Sequence, residues 1–215
     1  AARPKKSDSL GLALGAGGAT GLAHIVVIET LEELGLRPDW IAGSSIGALT
    51  GGLVACGHDS GTLKEIVAEL VPESFGSWLS TVFGRDSVSV LSLIEVNIER
   101  GSLVDTDVFQ SFLEKRFGRK SFEDLDIPLV VTATDYWNRE AVFFEEGPII
   151  PPVMASVALP GVFPPVQYQD RILIDGGILN PVPHEVLADR VATTIAVDVI
   201  GSRERPEDGM PGYLD

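Results

Sequence analysis

The sequence predicts an α/β fold: a mostly parallel sheet with helices on both faces. Three observations carry this. Short apolar runs of strand length alternate along the chain with segments of helical period. The first of them, "LGLAL" at 10–14, is apolar throughout, as a strand buried on both faces is. The chain has 215 residues, 45% hydrophobic and 22% charged, enough for one sizeable core. A single domain over 1–215 is therefore expected, with 1–8 and about 202–215 as flexible ends.

The elements follow in order. Glycines end the first strand at Gly15. In "GLAHIVVIETLEELG", Leu22, Ile25, Ile28 and Leu31 fall at helical spacing, with Leu34 or Val27 completing the face and Gly35 placed to cap it. "DWIAG" reads as a second strand, "SIGALTGGLVACG" as a second, buried helix and "HDSGTLKEIVAELV" as a third. Phe75, Trp78, Leu79, Val82 and Phe83 form one apolar helical face, open between core packing and a lid or lipid-touching surface. "IPLVVTATD" (127–135) is a β-branched strand and "EAVFFEEG" a partner for it. "DRILIDGG" holds a strand ending near Ile174, and "TTIAVDVI" (193–200) holds another. "NPVPHEVLADR" reads as a helix start.

Composition excludes several functions. A formal net charge of -15 repels nucleic acid phosphates and gains little from anionic lipid headgroups. The one cysteine, Cys56, permits no internal disulfide, which favours a reducing, cytoplasmic location, and is expected to be a small buried hydrophobe. Two uncharged stretches, 40–57 and 147–169, are interrupted by glycines or by six prolines and read as buried or interfacial segments, not membrane spans. No His/Cys/Asp cluster has metal-ligand spacing, so no metal and no cofactor are expected.

Three glycine-flanked turns carry the chemistry. Gly43-Ser44-Ser45-Ile46-Gly47 is a G-x-S-x-G pattern at a strand-to-helix junction. There a serine on a tight turn presents its Oγ at the sheet edge, and flanking side chains would collide with neighbouring strand and helix. A plain helix N-cap uses the same residue types. The loop from Gly15 through Ala16, Gly17, Gly18, Ala19 and Thr20 to Gly21 follows the first strand. Its N–H groups suit either an oxyanion or a dinucleotide pyrophosphate, with Glu33 or Asp39 as the ribose acid in the second case. Asp175 follows Ile172-Leu173-Ile174 and precedes Gly176-Gly177, which is either a reactive carboxylate or a simple Asp-Gly turn. In a parallel sheet all three turns would share one carboxyl edge, where open α/β sheets bind ligands. Asp135, at another strand end, is assigned no chemistry. His184 fits the chain order Ser…Asp…His of a triad but reads more simply as a first-turn surface residue; His24 reads as packing.

In the order and spacing of "LGLALGAGGATGLAHI", "GSSIGAL", "ASVALPGVFPPV" and "DGGILNPVP", nearly the whole chain resembles the patatin-like phospholipase family, its bacterial and neuropathy-target-esterase-like branch above all. The resemblance implies a three-layer α/β/α fold and a Ser–Asp dyad in place of a triad. Ser45 would be the nucleophile, Asp175 its base, and the N–H groups of Gly17 and Gly18 the oxyanion hole, supported by Gly15, Gly21, Gly43, Gly47, Gly176 and Gly177. The family's loop usually reads G-G-G-x-[R/K]-G; here Ala16 stands for the first glycine and Thr20 for the cation. The segment 154–166 either shapes an acyl pocket or simply packs. The expected function is hydrolysis of lipid or small carboxylic esters through an acyl-enzyme, with transient contact at a membrane surface and no nucleic acid partner. The alternative is a nucleotide-binding or catalytically degenerate regulatory module.

Overall fold

The computed structural model describes residues 8–70 and 106–201. The expected amphipathic face at 75–83 and the two expected flexible ends, apart from Asp8, lie outside them.

The first half of the chain alternates as its pattern demands. Strand β1 (Leu10–Leu14) leads through a 3-10 turn (Gly18–Leu22) to helix α1 (Ala23–Glu33). Strand β2 (Trp40–Ser44) leads to α2 (Ile46–Ala55), and α3 (Ser60–Leu70) follows. Of the residues expected on the first helix face, Ile25, Ile28 and Leu31 are buried and Val27 packs beside them, while Leu22 and Leu34 are exposed. Leu22 falls in the 3-10 turn, whose tighter winding breaks the helical register.

Beyond α4 (Thr106–Phe117) come β3 (Leu129–Asp135), β4 (Glu140–Phe144), α5 (Ile150–Ser156), β5 (Val166–Tyr168), β6 (Arg171–Asp175) and β7 (Thr193–Val197). Helix α5 lies in the proline-rich stretch. Pro151 and Pro152 occupy its first turn, where a missing N–H costs no helical bond. The expected helix after Asn180 is one 3-10 turn, Glu185–Leu187. It lies against the sheet where the strand residues are small: a Cβ on Gly11 would come within 3.1 Å of Leu187 Cδ1.

Hydrogen-bonded strands run β5-β6-β3-β2-β1-β7, with β4 also on β3. The central strands β7, β1, β2 and β3 are parallel; β4, β5 and β6 run antiparallel to their partners. On one face Leu12, Leu14, Ile41, Leu129 and Val131 pack under α1 to α5. On the other, Ala13, Ala42 and Val130 pack under Leu187 and Val191. The result is a three-layer α/β/α fold.

The register around β3 positions everything that follows. Thr132 pairs with both Ser44 of β2 and Phe143 of β4, and Ala133 pairs with both Asp175 of β6 and Val142 of β4. A strand has only two edges. Strand β4 fills one; β2 and β6 therefore share the other. They approach from opposite directions and stop head to head, at neighbouring residues of β3. The expectation of three turns on one carboxyl edge of a parallel sheet is corrected here: Asp175 arrives on an antiparallel strand, and its end meets that of β2.

Close backbone packing between β1 and α2 depends on Gly47, where an added Cβ would lie 2.1 Å from the Leu14 carbonyl oxygen. Gly47→Ala should destabilise the protein by about 3 kcal/mol or more. Exposed Gly61 in α3, whose Cβ would meet only Asp59 Oδ1 at 3.6 Å, should instead gain about 0.5 kcal/mol on substitution by alanine. Denaturant midpoints of the two variants test this pair; equal effects would contradict the close approach.

Candidate active site

Ser45 sits between β2 and α2 with φ 55° and ψ −125°. A non-glycine residue in that region costs about 1–3 kcal/mol and persists only where its surroundings enforce it. Its carbonyl accepts from the N–H groups of Ala48 (2.9 Å) and Leu49 (3.2 Å), so it occupies the N-cap position. Its side chain makes no capping bond, however. The Oγ–H donates instead to Asp175 Oδ2 at 2.6 Å. The flanking glycines are sterically required: a Cβ on Gly43 would lie 2.5 Å from Ala48 Cα and from the Gly47 carbonyl oxygen.

Asp175 is 4% exposed. Its Oδ1 accepts the Gly177 N–H at 2.7 Å, an N-cap for the 3-10 turn Gly176–Ile178. The Asp-Gly turn is therefore present and carries the bond to Ser45 as well. Burial raises the carboxyl above its ordinary pKa, against the opposing effect of its bonds to Ser45 and Gly177. The two glycines bring the turn against its neighbours: a Cβ on Gly176 would lie 2.2 Å from the Thr132 carbonyl oxygen, and one on Gly177 2.5 Å from Ala16 Cβ.

The glycine loop closes the site. The N–H of Gly15 donates to Val197 O (3.0 Å) and that of Ala16 to Pro181 O (2.7 Å). The next two N–H groups, of Gly17 and Gly18, have no acceptor among the described residues. Gly18 has φ +52°, and open space surrounds its Cβ position. Gly21 packs on the residue after Ser45; a Cβ there would lie 2.3 Å from Ile46 Cγ2. Thr20 donates to the Gly17 carbonyl through Oγ1 (2.8 Å) and through its N–H (3.1 Å), so the residue in place of the family's cation braces the loop locally.

His24, which the sequence suggested was packing, holds the loop by a specific bond. Its ring is fully buried and Nε2 lies 2.8 Å from the Gly15 carbonyl. A carbonyl only accepts, so the proton is on Nε2. Desolvation lowers its pKa, the Gly15 bond acting the other way, and Nδ1 has no partner among the described residues.

The other singled-out residues lie elsewhere. Asp39 accepts the Leu10 N–H (2.8 Å), at the opposite end of β1 from the glycine loop, and Glu33 ends α1 exposed. Neither reaches a phosphate held by the loop. His184 is exposed, and its Nδ1 faces Val182 O (3.0 Å), not Asp175. Asp135 accepts from the N–H groups of Trp137 and Asn138 and from Asn138 Nδ2, a turn built on its own carboxylate. Cys56 is half-buried, and burial pushes its thiol up to about 11. No single residue of 154–166 stands out in the sequence, yet Ser156 contacts Ser45 directly. Its oxygen accepts the Ser45 N–H at 2.8 Å. The only sequence signal was a serine closing an otherwise apolar helix.

Comparison with known proteins identifies the family. Residues 12–188 match the family model described as patatin-like phospholipase. An uncharacterized NTE family protein of Mycobacterium tuberculosis H37Rv is 36% identical over 205 residues, 95% of this chain and 52% of that protein. A patatin-like phospholipase domain-containing protein of Caenorhabditis elegans is 31% identical over 216 residues, all of this chain and 15% of that protein. The chain thus spans about half the length of the mycobacterial relative it matches. Among solved structures, VipD from Legionella pneumophila shares the fold with a TM-score of 0.56 at 18% identity, over 88% of this chain and 49% of VipD. The chain belongs to the patatin-like phospholipase family. No helix among the described residues is long and apolar enough to cross a membrane.

The buried His24 predicts a pH dependence. Its folded pKa lies below the unfolded value of about 6.5, so on acidification the unfolded chain takes a proton first and stability falls. That contribution is present above about pH 6.5 and is lost as pH falls toward the folded pKa. His24→Gln, which keeps a donor for Gly15, should lose less stability between about pH 7.5 and 5.5 than the wild type. Urea unfolding across that range checks it; identical pH slopes would contradict a neutral, buried imidazole.

Proposed function

We propose that this chain is a serine acyl hydrolase cleaving carboxylic esters of lipids (lysophospholipids, phospholipids or simpler esters), with Ser45 as nucleophile and Asp175 as base. The observation that carries the reading is the 2.6 Å bond from the Ser45 hydroxyl to a buried carboxylate. Asp175 takes the Ser45 proton as Oγ attacks the acyl carbon. The N–H groups of Gly17 and Gly18 receive the oxyanion, and the collapsing intermediate expels the alcohol, which leaves with the proton from Asp175. Water then enters, Asp175 takes its proton, and the acid departs as Ser45 is re-formed. An ordinary carboxylate, with a pKa of about 4, is a weak base for a hydroxyl. Burial raises that of Asp175, which improves the match.

Family membership supports the lipid class. The substrate is reached at a lipid–water interface from the cytoplasm, and the net charge of -15 favours uncharged or zwitterionic surfaces over anionic ones.

A fluorophosphonate probe should label Ser45. Asp175→Asn should lower kcat by about 10²–10⁴-fold. In the wild type the acid limb of kcat/KM should lie above pH ~4, since activity is lost as pH falls through the raised pKa of Asp175. The same raised pKa means that the ionised carboxylate costs stability once pH exceeds it, so Asp175→Asn should match or exceed wild-type thermal stability at neutral pH. An inactive His184→Ala beside a merely slowed Asp175→Asn would overturn the dyad.

A further inference from the structure

We infer that Ser156 is a positioning residue whose hydroxyl is wedged into the β2–β3 ladder and sets the Ser45 turn. This rests on the proposed role of Ser45. The Ile41 N–H donates to the Pro128 carbonyl at 2.9 Å. Along a parallel pair such bonds recur every second residue, so the register carries the series to Gly43 with Val130 and then Ser45 with Thr132. That last rung is not direct. The Ser45 N–H donates to Ser156 Oγ at 2.8 Å, and Ser156 Oγ–H donates to Thr132 O at 2.6 Å. One oxygen atom stands in the gap.

The consequences are geometric. The wedge satisfies both backbone groups while holding Ser45 off β3, at the point where its φ turns positive. It also occupies the Ser45 N–H, which leaves oxyanion binding to the glycine loop. Two residues on, Ala158 O accepts the Asp175 N–H at 3.0 Å. The turn leaving α5 thus grips both strand ends that meet on β3: β2 through Ser156, and β6 through Ala158. Ser156 is itself fully buried, so no solvent competes for its hydroxyl.

Ser156→Ala removes the wedge. Ser45 must then bond Thr132 directly, moving toward β3, or leave its N–H unpaired. On a water-soluble p-nitrophenyl ester, kcat should fall by about 10–100-fold with KM nearly unchanged, and fluorophosphonate labelling of Ser45 should slow in parallel. Ser156→Cys, a weaker donor of similar size, should recover part of the loss, and it carries the test if the alanine variant does not fold. Amide hydrogen exchange at Ser45 reads the wedge without turnover: it should change in either variant while amides of β1 remain protected. Wild-type kcat together with wild-type Ser45 exchange, in a folded variant, would overturn the inference. Failure of the hydrolase reading is a separate outcome: the wild type would then not react at Ser45, while the Ser45 amide would still report on the wedge.

Discussion

The site depends on one constraint: two strands share a single edge of β3. Strand β2 runs parallel to β3 and stops at Thr132; β6 runs antiparallel and stops at Ala133. Two chain ends meeting head to head cannot both continue, so each must turn out of the sheet. The first turns at Ser45 and the second at Gly176. Their hydroxyl and carboxylate then face each other across 130 residues of sequence at hydrogen-bond distance. The remainder of the site follows from closing the space around that junction with backbone.

Small residues do the closing. The Gly21, Gly43, Gly47, Gly176 and Gly177 positions each leave less than 3 Å for a Cβ, and the obstacles are the sheet strands and the neighbouring turns. Gly177 rests on Ala16, Gly21 on Ile46, Gly47 on Leu14. The glycine loop, the serine turn and the aspartate turn therefore form a single interlocked body. Within that body Asp175 is buried, which is the cause of its raised carboxyl pKa. Stability is given up at this point, in a strained Ser45 backbone and a desolvated acid.

Much of this was legible in the sequence. The apolar strand runs, the three glycine-flanked turns and the α/β alternation are local signals, and the family resemblance rests on their order. The direction of β6 was not legible, because a strand's sense relative to its partner is fixed by long-range pairing, not by its own residues. Helix α5 was obscured by six nearby prolines, although two of them sit where a helix tolerates them. Ser156 carries only a weak local signal, a serine closing an apolar helix, because its bonds reach 24 and 111 residues away. His24 reads as packing in the sequence because the strand-to-helix crossover that aims its ring at Gly15 is a tertiary feature.

The central claim is that the hydroxyl at the meeting point of β2 and β6 becomes covalently acylated during ester cleavage. Rapid acid quenching of the protein with a slowly deacylating ester, followed by peptide mass analysis, tests it most directly. The account predicts one acyl group on the peptide containing Ser45, absent when the quench precedes substrate and lost on incubation in water. Turnover of the ester with the acyl group on a different residue, or with none on the protein at any time, would contradict it.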